Sequence, residues 1–166
     1  MKKTKTALSL ALLIVFALML SGCGGKGDEP VTYESASGLT IQMKKGFKES
    51  TVEGSTCFFE ATDCMMNAIK EDFELFASIG NDAANMSMAD YAALVSNVNG
   101  VDFVADENNN YNATYENTVD SNDFFYFSTL RRTDDAFWVI NFACLVGEKD
   151  KFLPLFESWA ETISFK

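Results

Sequence analysis

The spacing of apolar residues changes several times along the chain. Residues 7–20 form an almost unbroken apolar run, interrupted only by Ser9. A glycine-rich stretch follows, and from residue 38 the pattern becomes that of short strands. Residues 38–43 (GLTIQM) predict a strand, and Lys44-Lys45-Gly46-Phe47 predicts a turn after it. Residues 56–60 and 64–70 predict two strands around Ala-Thr-Asp. Residues 71–79 suit a short helix ended by Gly80. Residues 88–98 predict a longer one, with Met88, Tyr91, Ala92, Val95 and Val98 on one face. Ser87 is its expected N-cap, with Asp90 three residues on, and Gly100 follows its end. Residues 101–105 and 111–116 predict strands separated by the polar loop DENNN.

The strongest strand pair is DFFYFSTLRR and AFWVINFACLV, joined through Thr133-Asp134-Asp135. In the second strand Trp138, Ile140, Phe142, Cys144 and Val146 share one face. Phe137, Val139, Ala143 and Leu145 share the other. A strand apolar on both faces must be covered on both, which places it centrally in a sheet with helices on each side. A last helix from about 148 to 162 supplies one cover through Phe152, Leu155, Phe156, Trp159 and Ile163. Pro154 must lie in its first turn or mark a kink.

The amino-terminal run is explained by what flanks it. Lys2, Lys3 and Lys5 precede it without an acidic residue. It is too short for a comfortable membrane span, which needs about 20 residues, and it suits the apolar region of a signal peptide. Leu20-Ser21-Gly22-Cys23 resembles a bacterial lipobox: an aliphatic residue, two small residues, then cysteine. The resemblance implies cleavage before Cys23 and attachment of a diacylglyceryl group to its thiol. Two acyl chains would then hold the protein on the membrane, at about 0.8 kcal/mol per buried CH₂. The chain thus divides into a signal peptide (1–22), a flexible tether (23–32) and one globular domain (33–166).

Charge and composition narrow the function. The full chain carries 13 basic and 24 acidic residues, a net charge of −11. Without residues 1–22 it keeps all 24 acidic residues and only ten basic ones. A body that acidic repels phosphate backbones and anionic headgroups, which argues against nucleic-acid partners. The sequence has no histidine. Ser-His-Asp and Cys-His nucleophile systems are therefore excluded, as is the commonest metal ligand.

The order GLTIQMKKGF, paired strands, a helix from SMADYAALV, then FWVINFAC and KFLPLFESWAETISF resembles that of small bacterial lipoproteins of the PsbP-like fold. That fold is named for an extrinsic photosystem protein and is shared with a eukaryotic Ran-binding import factor. The resemblance spans residues 38–165. It implies an α+β fold, an antiparallel sheet between helices in an α/β/α sandwich. Its members are mostly accessory or partner-binding proteins, so it implies no catalytic residues and no cofactor.

Four cysteines need separate accounts. Beyond Cys23, an exported chain allows a disulfide between Cys57 and Cys64. A two-residue turn at Glu60-Ala61 would set them opposite each other. A three-residue turn at 61–63 would leave Cys57 facing Asn67, and Asp63 as a turn residue favours that arrangement. Cys144 reads as core packing. The acidic groups at 102, 106 and 107, at 120 and 123, and at 134 and 135 match no EF-hand loop and read as solvated turns, with no metal ligands assigned. Phe124 to Phe127 alternate between faces, and any ring left uncovered would offer a recognition surface. The expectation is a lipid-anchored domain on the extracytoplasmic face of the cell membrane, non-enzymatic, binding an envelope protein. The alternative is a lipoprotein that binds a small ligand or calcium beside a transporter or sensor.

Overall fold

The structure, a computed structural model, describes residues 29–166 apart from 79 and 81. The signal segment, Cys23 and residues 24–28 of the tether lie outside the described residues. Among the described residues no helix is long and apolar enough to cross a membrane.

The chain begins with β1 (Val31–Glu34), β2 (Leu39–Met43) and β3 (Lys48–Ser50), then β4 (Cys57–Glu60) and β5 (Cys64–Asp72). Helices α1 (Phe73–Ser78) and α2 (Met88–Asn99) follow. Next come β6 (Val104–Ala105), β7 (Tyr111–Val119), β8 (Asn122–Arg132) and β9 (Ala136–Leu145). A short 3-10 turn leads into α3 (Lys149–Glu161), and β10 (Ser164–Phe165) ends the chain. Seven strands form one sheet in the order β3-β4-β5-β9-β8-β7-β6, and β1-β2-β10 form a second. Every strand pair is antiparallel. The architecture is α+β.

β9 lies at the centre of the large sheet, between β5 and β8, as a strand apolar on both faces requires. On one face Trp138, Ile140, Phe142 and Cys144 join Phe152, Phe156 and Trp159 of α3 and Leu39, Ile41 and Met43 of β2 in one core. Each such side chain contributes about 1.5–3 kcal/mol by leaving water. On the other face Phe137 and Val139 meet Phe76 of α1 and Tyr91, Ala92 and Val95 of α2. Helix α2 starts where the Ser87 hydroxyl accepts the Asp90 N–H at 3.1 Å. It ends where Gly100, at φ +67°, turns the chain away.

Several boundaries differ from those expected. β1 takes in Val31 and Thr32, which the sequence assigns to the tether, because they pair with Met43 and Gln42. β5 runs on to Asp72, opposite Ala136, so α1 begins only at Phe73. The strand expected at 101–105 is reduced to two residues. Val98 and Leu155, expected in apolar faces, are 49% and 37% exposed. Pro154 is the sixth residue of α3, past its first turn. All four rings of Phe124–Phe127 are buried.

Candidate functional site

The face of the sheet beneath α1 and α2 carries aligned rows of side chains. One row is Ile69, Val139 and Leu130, set by the β5–β9 and β9–β8 registers. Another, four residues along each strand, is Met65, Ala143 and Tyr126. Between these apolar rows lies a polar one: Asn67 of β5 faces Asn141 of β9, which faces Ser128 of β8. All three are buried, Ser128 at 1% exposure and the two asparagines at 3%.

The row is only partly satisfied. The Ser128 hydroxyl donates to Asn141 Oδ1 at 2.5 Å. The Asn141 amide nitrogen and the Asn67 carbonyl oxygen have no hydrogen-bond partner. Leaving a buried amide atom unpaired costs about 1–3 kcal/mol. Burial pushes the Tyr115 hydroxyl up to about 12, offset in part by the Ser128 hydroxyl beside it.

A cavity of about 340 Å³ opens on this row. Ser128, Asn141 and Val139 form its floor. Val95, Val101 and Phe103 line it from α2 and the segment that follows. Tyr115 and Glu116 line it from β7. The sequence builds this overhang locally. The Gly100 N–H closes α2 on Ser96 O at 2.8 Å, and the Ser96 hydroxyl accepts the Phe103 N–H at 3.1 Å. Residues 101–103 are thereby drawn back beside the helix they leave.

A second buried polar pair lies beneath α2. The Tyr91 hydroxyl donates to Glu71 Oε2 at 2.8 Å, and the Tyr91 ring stacks on Phe137 with centroids 4.0 Å apart. Burial raises the Glu71 carboxyl above its ordinary value, and the Tyr91 hydrogen bond offsets this only in part. On the opposite side of the sheet, Asp63 pairs with Lys44 and with Lys151. Burial alone would raise Asp63, but those lysines hold it below the ordinary carboxylate range.

The cysteines do not form the weighed pair. Glu60 faces Met65, so Cys57 lies opposite Ala68 and Cys64 opposite Cys144. Cys57 is thus four residues along the ladder from the position facing Cys64, about 13 Å at 3.3 Å per residue. That exceeds the reach of a disulfide. All three are buried free thiols. Burial pushes Cys57 up to about 11 and Cys144 to about 12, and Cys64 higher still. Such thiols carry little thiolate and make poor nucleophiles.

The acidic turns have local roles. Asp106 accepts the N–H groups of Asn108 and Asn110 at 2.8 and 2.9 Å, which shapes the DENNN loop. Asp123 accepts the Thr118 hydroxyl, and Asp135 pairs with Lys70. Among the described residues no cluster of three or more acidic or cysteine side chains could hold a metal ion.

The polar row is the feature that sequence reasoning missed. Its signal was a single asparagine in the middle of each of two otherwise apolar strands, CMMNAI and FWVINFAC.

No family model matches the chain, and no curated protein is similar to it in sequence. Solved structures match it in shape. CyanoP, the PsbP of the cyanobacterium Synechocystis, superposes with a TM-score of 0.50 at 11% identity, covering 89% of this chain and 99% of that one. The fold is PsbP-like. A protein of Bacteroides thetaiotaomicron shares it at TM-score 0.50 and 14% identity, over 85% of this chain and 49% of that one, so this chain spans about half its length. LpqN, involved in cell envelope biogenesis of Mycobacterium tuberculosis, gives a TM-score of 0.47 at 10% identity, over 83% of this chain and 90% of that one. At these identities the likeness is one of fold.

Proposed function

We propose that this chain is a lipid-anchored domain on the extracytoplasmic face of the cell membrane, acting by binding and not by catalysis as an accessory to another envelope protein. The observation that carries the reading is the sequence Leu20-Ser21-Gly22-Cys23 behind a basic, apolar leader, only seven residues before the first strand at Val31. Seven extended residues reach about 25 Å at most. A lipid on Cys23 would therefore keep the PsbP-like domain beside the membrane, within reach of membrane proteins. The accessory role is an analogy with other proteins of this fold.

The test is Cys23→Ala with cell fractionation. The wild type should be found with membranes and take up labelled fatty acid, while the variant loses the label and leaves the membrane fraction or stays unprocessed. Equal membrane retention and labelling of both forms would refute lipidation.

The cavity favours a second reading, in which the anchored domain binds a small ligand. Its lining mixes apolar side chains, Val95, Val101, Phe103 and Val139, with polar ones, Asn99, Tyr115, Asn117 and Ser128, and a ligand pocket combines both kinds.

A further inference from the structure

We propose that Cys64 and Cys144 close as a cross-strand disulfide between β5 and β9 once the chain has left the cytoplasm, and that Cys57 stays a free thiol. The oxidising compartment rests on the extracytoplasmic reading above; the geometry stands without it.

The registers bring the pair together. Cys64 lies directly opposite Cys144 in the β5–β9 ladder, and both side chains enter the same core. The backbone decides how close they come. The Ala61 N–H donates to the Cys64 carbonyl at 2.9 Å, so Cys64 turns its peptide groups towards β4. The Thr133 N–H donates to the Ala136 carbonyl at 2.9 Å, so Ala136 and every second residue after it, Cys144 included, turn theirs towards β8. Neither cysteine therefore hydrogen-bonds the backbone of the other. Such opposed residues are the closer pairs of an antiparallel ladder, with Cα atoms about 4.5 Å apart. A disulfide needs about 4.4–6.8 Å, so no strand has to slip. Cys57 faces Ala68 and has no such partner.

The structure holds the reduced form, with three free thiols. Burial sets when the bond can form. Cys64 and Cys144 are 1% and 2% exposed, and burial pushes Cys144 up to about 12 and Cys64 higher still. A disulfide oxidant cannot reach them in the folded sheet and would find little thiolate there. In the unfolded chain both are open, with ordinary thiol pKa values of about 8.5. The bond therefore belongs to folding after export, and a soluble domain made without export keeps its thiols. One cysteine thiolate attacks the disulfide of an envelope dithiol oxidant, giving a mixed disulfide and releasing one oxidant thiol. The second cysteine thiolate attacks the mixed disulfide, forming the Cys64–Cys144 bond and releasing the other oxidant thiol. The pair gives up two electrons and two protons, and the disulfide of the oxidant takes up both. The bond closes a loop of about 80 residues and ties β5 to the central strand.

The experiment uses the full chain, exported with its own leader in a host whose envelope carries dithiol oxidants and extracted in detergent. Free thiols are blocked with N-ethylmaleimide in urea, and peptides are mapped by mass spectrometry before and after reduction. A second portion is reduced in urea, refolded in detergent with reduced and oxidised glutathione, checked for folding by circular dichroism and mapped in the same way. Both portions should give a linked Cys64–Cys144 peptide and an alkylated Cys57. The linked form should melt about 10 °C above a portion refolded with reductant alone. Cys144→Ser should leave Cys64 open to alkylation and abolish that difference. A folded, refolded chain without the Cys64–Cys144 link, or with Cys57 in the link, overturns the proposal and leaves the lipid anchor untouched, since Cys23→Ala tests that separately. A link in the refolded chain that is missing from the exported one overturns bond formation in the cell and counts against the extracytoplasmic reading, while the pairing geometry holds.

Discussion

Removing the Ser128 hydroxyl should destabilise the domain, and then removing the Asn141 amide as well should restore it. Ser128→Ala takes away the one donor to Asn141 Oδ1 in a site where both residues are buried. The asparagine is then left with neither amide atom paired. The expected cost is about 1–3 kcal/mol, which for a domain of this size lowers Tm by about 4 °C per kcal/mol. Asn141→Leu in the same chain removes the orphaned amide and puts apolar volume beside Val139 and Val95. The double variant should therefore recover most of that loss, giving a coupling of about 1–2 kcal/mol in a double-mutant cycle. Urea denaturation followed by tryptophan fluorescence is the assay, since Trp138 is buried and its emission reports unfolding. If Ser128→Ala costs less than about 0.5 kcal/mol and the two losses add, the polar row is not a linked unit and its Ser128–Asn141 hydrogen bond contributes little.

Further outcomes can be checked on the same material. Glu71 has a folded-state pKa raised by burial, so its favourable contribution is complete below the ordinary carboxylate range and is lost as pH rises through the folded value. Glu71→Gln stays neutral and can still accept from Tyr91, so its stability relative to wild type should climb from about pH 4 and then level off; a difference that does not change with pH would contradict the buried, raised carboxyl. Gly38 adopts φ +86°, and a Cβ there would lie 3.2 Å from the Lys166 carbonyl oxygen. Gly38→Ala should cost roughly 1–2 kcal/mol in chemical denaturation, and a neutral result would mean that the β2–β10 junction yields freely. Thiol titration of the soluble domain should find no quickly reacting cysteine in the folded state and three in urea, matching three buried free thiols; only one thiol in urea would mean that two had paired.

The long elements were legible because their apolar pattern is redundant. In β9 both alternating sets are apolar apart from Asn141, so no slip in register could hide that it is covered on both faces. Helix α2 announced itself with a cap at Ser87 and a glycine at 100. The strands that escaped notice are held by partners distant in sequence. β10 has two residues, and what makes it a strand is pairing with β2, well over a hundred positions away. β3 is Lys-Glu-Ser, with no apolar residue to betray it, and pairs with β4 at the sheet edge. The hairpin between β4 and β5 was misjudged by one residue, because the Ala61 N–H bonds the Cys64 carbonyl at 2.9 Å and the turn tightens to Thr62-Asp63. The β5–β9 ladder instead carries Met65 and Met66 opposite Ala143 and Phe142. Lys44 illustrates the same limit: a surface lysine in a turn by sequence, it pairs with Asp63 and lies over the Phe152 ring. The candidate site was harder still. Asn67, Ser128 and Asn141 are ordinary polar residues on three separate strands, and only the registers of the folded sheet make them neighbours.

The central claim is that an anchored domain works by meeting a partner at the envelope. Crosslinking on intact cells with a membrane-impermeant reagent tests it most directly, comparing the wild type with Cys23→Ala at equal expression and identifying captured proteins by mass spectrometry. The account predicts that the wild type repeatedly captures the same membrane or envelope protein and that the capture falls sharply when Cys23 is replaced. Recovery of this chain alone, or a capture unchanged by Cys23→Ala, would contradict it.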